Sequence, residues 1–303
     1  MKKDKMKEDP FYELLVRKQR KVRIENLKRT WYRFSRNKLS VFGLSILFGI
    51  IILAIFADYL TPYPHHAELY INFSERYQPP SLNHLFGTDM YGRDVFSRTI
   101  FGFRYALMMV AVVLSLVVPI GVILGLIAGY YKGTWIESII VRTSEVFVAL
   151  PPLVLALSIA SVLEPNVFNA MMAVSLMWWP WYVRLVYSMT SSLRNEPYIL
   201  AAKAIGEPTY RILFKELLPN MLGPILTKVT LDAGWVIIIG AAISFVGLGA
   251  QPPTPDLGTM VSEYGRYLPE YWWMTFGPAF GIVLLILSFN LIGDGVRDAF
   301  ASE

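Results

Sequence analysis

Six stretches of the chain are long runs of apolar residues with few charges, separated by polar segments that carry proline, glycine or clustered charge. They fall at about residues 39–60, 105–130, 139–163, 168–187, 222–248 and 276–295. A hydrocarbon layer ~30 Å thick takes roughly 20 helical residues to cross, so each run is long enough to span it. Inside lipid the backbone amides have no water to bond, so each run predicts a helix. The pattern predicts an all-α polytopic membrane protein, a six-transmembrane-helix bundle.

Small residues within the runs predict close helix packing. Gly121, Gly125 and Gly129 repeat every four residues in the second span, and Gly277 and Gly281 do so in the sixth. Pro119, Pro151, Pro152 and Pro180 interrupt spans and predict kinks. Trp178, Trp179, Trp181 and Tyr182 sit in the middle of the fourth span, whereas aromatics concentrate at membrane interfaces. Two readings stay open for them: packing around Pro180, or lining a translocation route for bulky substrates.

Composition agrees with the membrane reading. At 54% hydrophobic and 17% charged over 303 residues, with mean hydropathy +0.44, the chain is not an ordinary soluble globule. Residues 1–38 hold 14 of its 28 basic residues, which predicts a cytoplasmic amino terminus. Six crossings then place residues 61–104 and 249–275 outside, and the polar segment 189–221 and the carboxyl terminus inside. Ile24, Leu27, Trp31 and Phe34 recur at helical spacing among Arg23, Lys28, Arg29, Arg33 and Arg36. An in-plane helix on anionic membrane lipid explains that face without any nucleic-acid partner. The segment is too charged for a cleavable signal, so the first span reads as an anchor.

Candidate chemistry is sparse. There is no cysteine, and the three histidines, His65, His66 and His84, lie in the first external segment, where solvent-facing side chains are expected rather than a metal site. No phosphate-binding loop occurs, so ATP hydrolysis and any bound cofactor are not expected of this chain. Arg142, Glu145, Arg184, Asp232, Asp294 and Arg297 lie near cytoplasmic span ends; Glu145 and Asp232 read as interfacial ion pairs rather than a proton relay. An ion-coupled carrier is therefore the weaker alternative, and the energy for transport has to come from another polypeptide.

The polar insert has its own architecture. Asn195 is placed to cap a helix that tolerates Pro197 in its first turn, Gly206 to end it, and Pro208 to start a second helix that Pro219 terminates. Ala201, Ala202 and Ala204 leave little bulk, so another protein's surface can approach the backbone. An ordinary interhelical loop is the plain alternative.

Ala201, Ala202, Gly206, Leu218 and Pro219 match the Ala-Ala loop of binding-protein-dependent ABC importer permeases, which this insert resembles. Leu200 stands where that family has Glu, and Glu216 where it has Ile. Residues 85–98, 244–255 and 290–298 are similar to blocks of the C-type subunit of dipeptide and oligopeptide permeases. In the first block, Gly87 and Gly92 permit tight turns, Asp89 can accept local amides, and Arg93 and Asp94 can pair, as a structural clasp. In the last, Asp294 and Asp298 can each pair with Arg297.

The resemblance implies an ABC importer type I permease fold with both termini cytoplasmic. Its expected organisation is a basic segment (1–38), a first span (39–60), an external segment (61–104), a five-span core with coupling loop 189–221 (105–298) and a short tail (299–303). It implies a second homologous permease chain, two cytosolic ATPases that bind the ATP and magnesium, and an extracytoplasmic binding protein. Leu200, Ala201, Ala202, Lys203, Gly206, Glu207, Leu218 and Pro219 are the implied ATPase contacts. Peptides are the implied cargo, with oligosaccharides or nickel carried by close relatives. The chain itself catalyses no chemical step.

Overall fold

The structure, a computed structural model, describes residue 25 and residues 28–300. Arg23, Ile24 and Leu27 of the predicted amphipathic face lie outside the described residues. Residues 28–36 are helical, with Trp31 exposed and Phe34 buried against Ile292 and Ala299.

Ten helices carry the rest: α1 (Lys38–Ile55), α2 (Ala57–Leu60), α3 (Val95–Tyr130), α4 (Trp135–Val148), α5 (Pro152–Val162), α6 (Val167–Leu193), α7 (Pro197–Ala204), α8 (Thr209–Phe245), α9 (Leu257–Gly265) and α10 (Trp272–Phe300). Among the described residues the fold is all-helical, apart from one isolated bridge between Thr88 and Asp94. Asn37 caps α1 by accepting from Leu39 N and Ser40 N. Asp94 caps α3, accepting from Ser97 N at 2.7 Å, which is why that helix starts at Val95 rather than at residue 105.

By length and composition α1, α3, α8 and α10 can each cross a membrane. The predicted third span, 139–163, is instead broken: α4 and α5 meet at 90° and count as a fifth span only if taken together. Pro151 sits at the break with extended backbone (φ −56°, ψ 129°), and Pro152 opens α5. A residue before proline is pushed out of the α region, so consecutive prolines end one helix and start another. Helix α6 has the length for a span, yet Asn169, Ser175 and Pro180 dilute its apolar character, and its middle is buried among its neighbours.

The glycine repeat sets the central pair. A Cβ at Gly125 would lie 2.8 Å from Val186 Cβ, and one at Gly129 2.5 Å from Thr190 Cβ, while Gly121 faces Tyr182. Both series advance in steps of four, so α3 and α6 run parallel in direct backbone proximity. On the other side Ser40 packs at Gly295, joining α1 to α10. These contacts define two ends. Tyr130, Arg194 and the insert share one; Val95, Gly277 and the segments 61–94 and 246–271 share the other.

That second end is a polar clasp, as expected, but its pairing differs. Arg93 pairs with Asp89 (Nε to Oδ2, 2.7 Å) and not with Asp94. Asp89 Oδ1 also accepts from Tyr91 N and Arg93 N, and its Oδ2 accepts from the Tyr264 hydroxyl at 3.0 Å. Asp94 lies 2.9 Å from His84 Nδ1, and its backbone N–H donates to His66 Nδ1 at 2.8 Å. His66 and His84 are therefore buried structural residues, and only His65 is exposed as predicted. The reason is the turn geometry: Gly87 and Gly92, at φ 68° and 77°, fold the strand-like segment back so that Asp94 reaches both rings. Arg98 completes the clasp, donating to His66 O and to Pro253 O.

Candidate functional site

At the opposite end the chain leaves α6 and makes the predicted elbow. Glu196 N donates to Leu193 O, which draws Asn195 into the turn; Glu196, not Asn195, occupies the cap position of α7, with no side-chain cap bond. Pro197 fills the first helical position, where no amide partner is needed. The other end of α7 closes with Gly206 N to Lys203 O and Glu207 N to Ala202 O, both 3.0 Å, with Gly206 at φ 77°. That is the Schellman arrangement, and it needs the left-handed residue that glycine supplies at least cost. A Cβ at Gly206 would meet nothing within 4 Å, so conformation rather than space demands the glycine.

The predicted second helix does begin after Pro208, but Pro219 does not terminate it. Residues Ile212–Leu217 form a π turn, Leu218 N donates to Leu213 O, and the helix runs on to Phe245. Proline lacks an amide and crowds the carbonyl of the preceding turn; widening that turn lets the helix pass.

One face of the elbow is anchored. Ile199, Ala202, Ile212, Leu213 and Leu217 are buried with Leu126, Val186, Met221 and Ile225 of the long helices. Lys203 Nζ reaches Arg194 O at 3.4 Å and lies 4.8 Å over the Tyr130 ring, while Arg194 Nη1 holds Tyr130 O and Lys132 O. Glu207 pairs with Arg211 at 3.5 Å. The elbow is therefore clamped to the ends of α3, α6 and α8.

The other face is bare and apolar. Leu200, Ala201, Ala204, Ile205, Tyr210 and Phe214 are exposed, Ile205 to 83%. The alanine pair thus divides its work: Ala202 packs inward, and Ala201 points outward. Leu218 is half-buried and Pro219 exposed beside it.

Of the mid-span aromatics, Trp178 and Tyr182 are buried in the bundle. Trp181 lies beside Arg184, whose guanidinium is 5.9 Å over its ring. Trp179 lines a cavity of about 440 Å³ with Leu116, Ile120, Asn169 and Ser175, and packs edge-on to Phe147. Asp232 does form an ion pair, with Lys228 at 3.1 Å, but Glu145 is exposed and has none among the described residues. Asp298 accepts from Asn37 Nδ2 at 3.0 Å and not from Arg297; the sequence spacing hid this, because the partner lies on α1's cap.

A multi-pass, all-helical membrane protein with an anchored, apolar-faced elbow at one end is the class that these features define. The family of binding-protein-dependent transport system inner membrane components matches over residues 121–303, and the N-terminal transmembrane domain of oligopeptide transport permease C matches over residues 26–80. The chain is 42% identical over 272 residues to the dipeptide transport system permease protein DppC of Alkalihalophilus pseudofirmus, covering 90% of this chain and 88% of that one. With the DppC protein of Bacillus subtilis it shares 37% identity over 270 residues, 89% of this chain and 83% of that one. The probable D,D-dipeptide transport system permease protein DdpC of Escherichia coli is 34% identical over 283 residues, 93% of each. The chain belongs to the family of inner-membrane permease components of binding-protein-dependent ABC transport systems.

Proposed function

We propose that this chain is one permease half of an ATP-driven importer for dipeptides or oligopeptides, and that the elbow is its lever. The cargo follows from the dipeptide transport named for its relatives over nearly the whole chain. In this reading the broken α4–α5 pair and α6 each cross once, giving six spans with both termini and the elbow in the cytosol.

Two cytosolic ATPases, a second homologous permease chain and an extracytoplasmic binding protein complete the assembly. The ATPases bind ATP and magnesium, and their closure presses on Leu200, Ala201, Lys203, Gly206 and Glu207, with Leu218 and Pro219 at the base. Because Ile199, Ala202 and Leu217 are locked to α3, α6 and α8, the push tilts these helices and opens the bundle toward the binding protein. In this reading Trp179, which lines a cavity of about 440 Å³, is the member of the aromatic cluster that faces the route. The bare apolar face of an otherwise anchored elbow is the observation that carries the proposal.

Gly206→Val tests it. A β-branched residue in the left-handed region costs at least ~1–2 kcal/mol and unfastens the end of α7. Transport by the complete importer is expected to fall about tenfold or more, tenfold being ~1.4 kcal/mol, with membrane insertion intact; full uptake by the variant would refute the lever role.

A further inference from the structure

Helices α8 and α10 cross antiparallel: a Cβ at Gly223 would meet Phe300, and one at Gly293 would meet Leu231. Along this seam, at the elbow end, lies an open pocket of about 550 Å³. Lys228, Leu231 and Trp235 line it from α8, and Arg297 and Phe300 from α10.

Its upper part is basic. Arg297 is exposed and has no ion pair among the described residues, and its neighbours Asp294 and Asp298 do not line the pocket. Lys228 is paired with Asp232, yet its side chain is 24% exposed and an ammonium has three donors. Asp232, the acid in the lining, is buried, and its carboxylate is occupied by Lys228 and the Trp178 indole. The pocket therefore offers N–H donors from two cations and no accessible carboxylate.

The lower part is apolar. Trp235 stands about 10 Å beyond Lys228 along α8, at ~1.5 Å per residue, and is 54% exposed, with Leu231 between them. A phosphodiester joined to hydrocarbon fits this profile: the oxyanion matches a guanidinium fork, and the chains cover the wall below. Phosphate alone leaves that wall bare. A zwitterionic peptide brings an ammonium for which the pocket has no accessible acid.

We propose that this pocket holds an anionic phospholipid, its phosphate on Arg297 and Lys228 and its acyl chains along Leu231 and Trp235. The inference stands apart from the importer reading, since it needs only that the chain crosses a bilayer.

Native mass spectrometry tests it, on the full-length chain purified with the subunits that accompany it and titrated with dioleoylphosphatidylglycerol. Wild type is expected to hold phosphatidylglycerol in preference to phosphatidylcholine with the same chains. Arg297→Gln is expected to weaken that binding about tenfold or more, the scale of a lost hydrogen bond to a charged group. Lys215→Gln removes a charge from an exposed residue of the π turn outside the pocket and is expected to bind as wild type. Equal losses in the two variants, or no loss in Arg297→Gln, would overturn the site in favour of general surface attraction. Displacement of the lipid by inorganic phosphate at equal concentration would mark a phosphate site without hydrocarbon contact and overturn the lipid. Wild type that holds no phosphatidylglycerol would overturn it as well, leaving the seam to another chain of the assembly.

Discussion

The indole N–H of Trp178 donates to Asp232 Oδ2 at 2.9 Å, deep between α6 and α8. The same carboxylate lies 3.1 Å from Lys228 Nζ, which in turn sits 5.2 Å over the Tyr182 ring. One buried charge thus ties α6 and α8 together.

Removing one partner of such a pair leaves the other charge unpaired in a low-dielectric site. Asp232→Leu is expected to destabilise the protein by about 3–5 kcal/mol, and Asp232→Leu with Lys228→Met to recover much of the loss. Thermal unfolding in detergent checks both, and equal stability of the single and double variants would contradict the pairing.

Helix contact at the glycine repeat makes a sharper comparison. Gly125→Ala puts a methyl 2.8 Å from Val186 Cβ and is expected to cost about 1–3 kcal/mol by forcing α3 from α6. Gly49→Ala, where nothing lies within 4 Å, is expected to be neutral or to stabilise α1 by about 0.5–1 kcal/mol. Unfolding of the two variants side by side reads the difference.

Because the chain has no cysteine, single introduced thiols report sidedness without background. Ile205→Cys on the elbow and Leu82→Cys on the clasp are both highly exposed. In intact cells a membrane-impermeant maleimide is expected to label Leu82→Cys at once and Ile205→Cys only after permeabilisation. Labelling of both from outside would end the proposed topology.

His66 makes the clasp sensitive to acid. Burial, with the neighbouring His65 and His84, holds its pKa down at about 4, against 6.5 for a free imidazole, although Asp89 pulls the other way and Arg98 adds to the depression. Its Nδ1 accepts the Asp94 amide, so the folded state needs the neutral ring. The unfolded chain takes up its proton first, so this contribution is complete above about pH 6.5 and is lost as pH falls toward 4. Amide protection over residues 85–98, corrected for the intrinsic exchange rate at each pH, is expected to fall across that window, and His66→Asn, whose Oδ1 can stand in for Nδ1, to flatten the dependence.

Much of the elbow was readable because glycine and proline carry their conformational limits locally: Gly206 had to end α7, and Pro208 had to precede a helix. Its anchoring was not, since nothing local distinguishes the inward Ala202 from the outward Ala201. The same holds for Asn37 and Asp298, partners 261 positions apart.

Hydrophobic run length, the four-residue glycine repeat and the basic bias of residues 1–38 determine on their own that the chain is a helical membrane protein with closely packed spans, because each acts through the solvent or a single turn of helix. Which carboxylate Arg93 takes, where His66 and His84 go, how sharply α4 turns into α5, and whether a helix passes Pro219 were decided only by the tertiary structure. Those outcomes depend on groups that the fold brings together from distant parts of the chain, and burial then makes each pairing, or each missing partner, count.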